Sequence, residues 1–232
     1  MGRHTEHWTP TGEINLMLFL SNKQLQALSH DSTVLEQDGL GPKVLRLSDG
    51  SFLKLFRKRR LLSSETLKPY AKRFADNSKR LKQLGFFTPE ILAVYRLEDP
   101  VNSSAVHYLP LPGETLRQAL AHALPPQQHA LVKQFGQLLG LLHERGVYFR
   151  SIHLGNVLLL PNAGLGLIDI ADMKVGHRPL SLRMRTRNLK HMRRYAQDKA
   201  WLFDQFNDAL TEGYSQHAAP YAKALLAKDG SP

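Results

Sequence analysis

The sequence contains no cysteine. That absence excludes disulfides, iron–sulfur clusters, thiolate zinc sites and cysteine nucleophiles, and it is compatible with the cytosol. Long apolar runs are missing too. No segment reaches the ~18 consecutive apolar residues of a membrane-spanning helix. The best short run, Ile14 to Leu20, is interrupted by Asn15 and preceded by Glu13 and His7. With only Arg3 near the start it makes a poor secretion signal, so the expected location is cytoplasmic. Acidic residues are the third shortage: 20 Asp and Glu stand against 31 Lys and Arg, a formal charge of +11. Such an excess favours a polyanionic neighbour, whether nucleic acid, an anionic membrane face, a phosphorylated glycolipid or a nucleotide.

A chain of 232 residues, 42% of them hydrophobic, is long enough to bury a substantial core in one domain or in two lobes. Residues 1–20 read as a loose leader. Ser21 then caps a short helix over Leu25 and Leu28. Between residues 33 and 56 the period changes, with Asp38-Gly39 and Ser48-Asp49-Gly50 separating alternating apolar segments, so three antiparallel strands are expected. Leu67, Tyr70, Phe74, Leu81 and Leu84 restore helical spacing, and Gly85 ends that element. Two further strands, Pro89 to Leu97 and Ser104 to Leu109, precede a turn at Pro110 to Glu114 that reads as a hinge.

The second half opens helical, from Thr115 to Ala121 and from Gln127 to Gly146. A small hairpin follows, Val157 to Leu160 and Leu165 to Ile170, then a basic stretch and a terminal helical region around Trp201, Phe203 and Phe206. Strands first and helices after give an α+β protein, with an N-terminal unit over 21–111 and a C-terminal unit over 112–232.

Three segments carry candidate chemistry. Lys54 lies between apolar residues in Phe52-Leu53-Lys54-Leu55-Phe56; alone, it reads as a solvent-facing residue of an amphipathic strand. Asn156 precedes one strand of the small hairpin and Asp169 ends the other, so their oxygens can converge on one divalent ion. Magnesium wants hard oxygen ligands and bridges phosphates, and a lysine opposite would neutralise a nucleotide's inner phosphates.

In this order the segments resemble the protein-kinase-like superfamily. The chain is most similar there to the lipopolysaccharide core heptose and Kdo kinases and to the pseudomonad toluene tolerance proteins. His153-Leu154-Gly155-Asn156-Val157-Leu158 followed by Leu167-Ile168-Asp169 carries the resemblance, and Leu141 to Val147, with His143 and Gly146, fits the family's helix end. The resemblance spans roughly residues 33–204. It implies a two-lobed kinase-like fold, with an antiparallel N-terminal lobe and a mainly helical C-terminal lobe, binding ATP and Mg2+. Lys54 would hold phosphate, Asn156 and Asp169 would hold metal, and Gly39 and Gly41 would lie over the nucleotide in a loop lacking the full glycine pattern.

Three carboxylates of the family pattern are replaced: Ser151 stands at the substrate-orienting aspartate, Asn77 at the glutamate that should pair with Lys54, and Asn188 at a buried aspartate that anchors the catalytic loop. Asp76 or Glu65 are candidates to stand in for Asn77, and Phe149 replaces the loop's usual histidine. A serine hydroxyl cannot act as a carboxylate base, which makes Ser151 and Asp172, three residues past Asp169, the catalytic candidates. His153 reads as a loop-stabilising residue.

Two basic stretches, 54–60 and 177–194, suit a solvated face, or an anionic glycolipid at the inner membrane surface, where the protein would sit peripherally. Nucleic acid is the less favoured partner, since no aromatic residues interleave the basic run. The leading expectation is an ATP-dependent phosphotransferase acting on a lipopolysaccharide-core or other envelope saccharide. Its alternatives are a pseudokinase module of envelope biogenesis and solvent tolerance, and a basic nucleic-acid-associated protein.

Overall fold

The computed structural model describes residues 16–57, 69–100, 103–162 and 164–226. The first fifteen residues of the leader, Lys58, Arg59 and Arg60 of the first basic stretch, and Glu65 lie outside them.

Six strands form the N-terminal sheet: β1 (Leu18–Leu20), β2 (Thr33–Asp38), β3 (Gly41–Arg46), β4 (Phe52–Phe56), β5 (Glu90–Leu97) and β6 (Ser104–Leu109). Their order is β1-β5-β6-β4-β3-β2. All pairs are antiparallel except β1 with β5, which is parallel. Residues read as the end of the leader thus supply an edge strand, with Leu20 buried. The Asp38-Gly39 signal marks a tight hairpin in which Asp38 pairs with Gly41, whose φ of 104° is a conformation that glycine adopts without strain.

The pleat of β4 divides the core. Leu53 and Leu55 join Leu20, Leu45, Leu97 and Ala105 on one face, covered by Leu25 and Leu28 of α1 (Asn22–Leu28). Helix α1 starts on a capping box between Ser21 and Gln24. Phe52 and Phe56 point the other way, toward α2 (Tyr70–Gln83), where Phe74 packs on Tyr108 with ring centroids 5.2 Å apart. Lys54 shares that second face, and both faces of β4 are covered.

The chain then enters a second region whose strands depart from the mainly helical expectation. Among the described residues five short ones occur: β7 (Glu114–Thr115), β8 (Val147–Phe149), β9 (Val157–Leu159), β10 (Leu165–Leu167) and β11 (Met173–Val175). They form a three-stranded sheet, β10-β9-β7, and a two-stranded one, β11-β8. Strands this short hold too few residues to show alternation, so only the β9–β10 hairpin was legible. The helices are α3 (Leu116–His122), α4 (Pro125–Glu144), α5 (Leu182–Met192), α6 (Ala196–Lys199), which runs into a π-helical turn over Ala200–Gln205, and α7 (Asn207–Leu226). The architecture is therefore mixed α+β, with an N-terminal sheet, later helices, and strands that continue among them.

Helices α4 and α7 approach so closely that side chains are excluded between them. A Cβ added at Gly213 would lie 1.9 Å from the Lys133 carbonyl oxygen, and one at Gly136 would lie 2.4 Å from that of Leu210. Beside this contact His143 is wholly buried. Its Nδ1 meets the Tyr214 hydroxyl at 2.8 Å and its Nε2 meets Asn188 Oδ1 at 3.2 Å. Asn188 in turn donates from Nδ2 to the Phe149 carbonyl at 2.8 Å, so this network holds the start of the loop that follows β8.

Burial, reinforced by the Arg185 charge, lowers the His143 pKa from 6.5 to about 3. The unfolded chain therefore binds a proton that the folded one refuses, and stability falls as pH drops below the ordinary histidine value. Between pH ~6.5 and ~4.5 this residue alone should cost about 2 kcal/mol of unfolding free energy. Denaturant titrations across that range should show His143→Gln with a shallower pH dependence, by roughly one proton, than the parent protein.

Candidate functional site

Lys54 is 5% exposed, which overturns its reading as a solvent-facing strand residue. A lysine removed from water needs an opposite charge. Its Nζ donates to Asp169 Oδ1 at 2.6 Å, across 115 residues of chain. Asp169 follows β10, keeps 41% of its side chain exposed, and has the left-handed backbone φ of 53°. Non-glycine residues in that region cluster at functional turns, because the surrounding structure must hold them there.

The turn after Asp169 is fixed from two sides. Asn77, buried on α2, donates through Nδ2 to the carbonyls of Ile170 at 2.7 Å and Met173 at 3.1 Å. The residue standing at the expected Lys54 partner thus ties α2 to the Asp169 turn instead, and Asp76 pairs with Lys72. From the other side the Ile168 N–H donates to the Asn156 carbonyl at 3.1 Å, which sets Asn156 beside the strand end carrying Asp169. Asn156 is nearly buried, and its Nδ2 donates to the Ser151 carbonyl at 3.1 Å. The amide's remaining polar atom is its oxygen.

Ser151 and Asp172 also meet. Ser151 Oγ donates to Asp172 Oδ1 at 2.8 Å, while Arg150 Nε lies 3.5 Å from the other carboxylate oxygen. Burial raises the Asp172 pKa, and the Ser151 hydrogen bond and the Arg150 charge only partly offset it. The sequence candidates therefore fall into linked groups: Lys54 with Asp169, Asn156 on the backbone next to them, and Ser151 with Asp172. Among the described residues no hydrogen bond joins Gly39 or Gly41 to these groups. Their hairpin is held by Arg57, which donates to the Gly41 and Pro42 carbonyls at 3.4 and 2.6 Å.

His153 has the loop-stabilising part expected of it. Its Nδ1 accepts the Gly155 N–H at 3.0 Å and its ring lies 4.5 Å from that of Tyr195. Burial and then the neighbouring Arg117 lower its pKa. Asp198 was not singled out from the sequence, where it is one acid between Gln197 and Lys199. It is fully buried, accepts the Leu154 N–H at 2.8 Å and pairs with Arg117 Nε at 2.8 Å. Asn188 and Asp198 thus both hold the loop that follows β8, Asn188 at Phe149 and Asp198 at Leu154. Arg185, counted in the second basic stretch, is not on the surface: it is fully buried and donates to Glu144, to the Tyr214 hydroxyl and to the Leu180 carbonyl.

The two halves of the Lys54–Asp169 pair are unequal, and their substitutions should be unequal too. Asp169→Ala leaves a buried ammonium without a partner. Discounted for the exposure of the carboxylate, it should cost about 2 kcal/mol, whereas Lys54→Met fills the same space with an apolar chain and should be nearly neutral. Equilibrium unfolding of both variants and of the double variant measures this asymmetry.

Neither the protein-family models nor the curated proteins compared with this chain give a match.

Proposed function

We propose that this chain is a two-lobed, kinase-like protein that binds ATP with magnesium and transfers phosphate to a hydroxyl acceptor. The observation that carries the proposal is the buried Lys54, projected from the N-terminal sheet onto a single carboxylate, Asp169, of the second region. A buried cation facing a half-exposed anion at a left-handed turn is a costly arrangement. It is reasonable where the ammonium also has phosphate to neutralise.

The donor set fits magnesium. Asp169 offers a carboxylate and Asn156 an amide oxygen, both hard ligands, and their backbones are tied by the Ile168–Asn156 hydrogen bond. Among the described residues no group of three or more His, Cys, Asp or Glu forms a metal cage. Two protein oxygens, completed by water and substrate phosphate, match the usual habit of this ion. A magnesium ion held there would supply charge neutralisation for the phosphates. Lys54 would then hold phosphate, with Asp169 and Asn156 holding the ion.

Asp172 supports an enzyme over a silent nucleotide module. The catalytic loop has serine where the resemblance leads one to expect aspartate, yet Ser151 hydrogen-bonds a carboxylate that arrives from the next turn. Asp172 would orient the acceptor hydroxyl, with Ser151 as its positioning residue. The resemblance to the lipopolysaccharide kinases makes a saccharide the acceptor class to try first. Among the described residues no helix is long and apolar enough to cross a membrane.

Calorimetric titration with ATP, with and without Mg2+, tests the reading. Metal-dependent binding is expected, weakened at least about tenfold in Asn156→Ala/Asp169→Ala. In the presence of an acceptor, Asp172→Asn should lower turnover by roughly 10²-fold while nucleotide affinity holds. Binding without turnover on any saccharide would support the pseudokinase alternative; no binding by folded protein would overturn the nucleotide reading.

A further inference from the structure

The strands flanking Ser151 and Asp172 border a cleft that neither Lys54 nor Asp169 lines. Strands β8 and β11 pair with Tyr148 opposite Lys174 and Val147 opposite Val175. Beyond β11 the chain crosses Gly176 to Pro179 and turns into α5. A cleft of about 460 Å³ opens between these strands and the start of the helix. That volume lies within the range of small-molecule sites, ~300–1,000 Å³. Tyr148, Val175, Pro179, Leu180 and Met184 make its lining largely apolar. Tyr148 and Leu180 are buried beneath it, at 8% and 5% exposure. The bend at its base is obligatory, because Gly146 has φ +71° and a Cβ there would lie 2.4 Å from the Arg178 carbonyl oxygen.

The rim of this cleft has one sign of charge. Lys174, His177 and Arg178 line it and are exposed. Asp172 and Asp198 are the nearest acids in sequence on either side of the segment, and both are committed, to Ser151 and Arg150 and to Leu154 and Arg117. Among the described residues no carboxylate pairs with Lys174 or Arg178. The exposed Arg183, Arg187 and Lys190 of α5 extend the same charge away from the cleft. An apolar floor below unpaired cations selects one chemistry: a hydrocarbon chain ending in an anion.

We propose that this cleft binds a single-chain anionic amphiphile, with its chain against Val175, Leu180 and Met184 and its headgroup at Lys174 and Arg178. The site is independent of the nucleotide reading. A free phosphate ion would use only the rim, and a neutral alcohol only the floor. The proposed ligand needs both.

Fluorescence or calorimetric titration with butyl, octyl and dodecyl phosphate, each kept below its micelle concentration, tests the proposal directly. Affinity should rise about threefold to fourfold per methylene while the chain is being buried, then level off once the cleft is full. Octanol and inorganic phosphate should each bind at least about tenfold more weakly than octyl phosphate. Met184→Trp, which fills the cleft and leaves the rim, should abolish the dependence on chain length. Lys174→Ser/Arg178→Ser, at exposed positions that leave the fold alone, should remove the preference for the anion over octanol. Equal binding of inorganic and octyl phosphate overturns the site, as does affinity unchanged in the rim variant. Binding to anionic phospholipid vesicles that survives Met184→Trp, with no binding of monomeric octyl phosphate, would assign the charge to a general basic face instead.

Discussion

An ammonium group withdrawn from water must find an anion, and at Lys54 that requirement reaches from the N-terminal sheet into the second region of the chain. The lysine alternates with Leu53 and Leu55, which are committed to the face under α1, so its own face is fixed by the pleat of β4. Its partner, Asp169, is in place only because several independent bonds hold the turn around it. Asn77 grips Ile170 and Met173 from α2, and the Asn156 carbonyl holds Ile168. Each of these residues is polar and buried or nearly so, and each is spent on backbone groups that would otherwise be unsatisfied.

A second tier of anchors fixes the neighbouring loop. Asn188 holds Phe149 and Asp198 holds Leu154, so the segment between them, with Ser151 and His153, is pinned at both ends. The same asparagine reaches through His143 to Tyr214 on α7. Asn77 and Asn188, which the sequence resemblance sets at carboxylate positions, are therefore not idle. Asn77 and Asn188 donate to carbonyls, which a carboxylate could not do, and the negative charges are carried by Asp169, Asp172 and Asp198.

Much of the N-terminal half was legible because its signals are local. The Asp38-Gly39 hairpin, the Ser21 capping box and the strand from Ser104 to Leu109 each rest on a few adjacent residues. The second half was harder. Strands of two or three residues give no alternation, and β1, β7, β8 and β11 exist because partners distant in sequence complete them. Lys54 alone reads as exposed, since its pattern does not say that α1 and the Asp169 turn cover opposite faces of the same strand. Arg185 reads as one more surface cation in a basic run, yet the helical period turns it inward onto Glu144 and Tyr214. Asp198 gave no signal at all: its role depends on a backbone N–H far from it in sequence. The pairing of Ser151 with Asp172 lay between the two, since both were singled out and only the fold could join them.

In the proposed function the Lys54–Asp169 turn, with Asn156, holds a metal ion and its nucleotide. Manganese, which takes magnesium's oxygen ligands and broadens nearby amide signals, tests it most directly in the NMR spectrum of the labelled protein with ATP. Broadening is expected to centre on Asn156, Ile168 and Asp169, to reach the β4 amides around Lys54, and to be absent without nucleotide. Broadening centred elsewhere, or none at saturating manganese and ATP, would contradict it and leave Lys54 and Asp169 as a structural tie between the two regions.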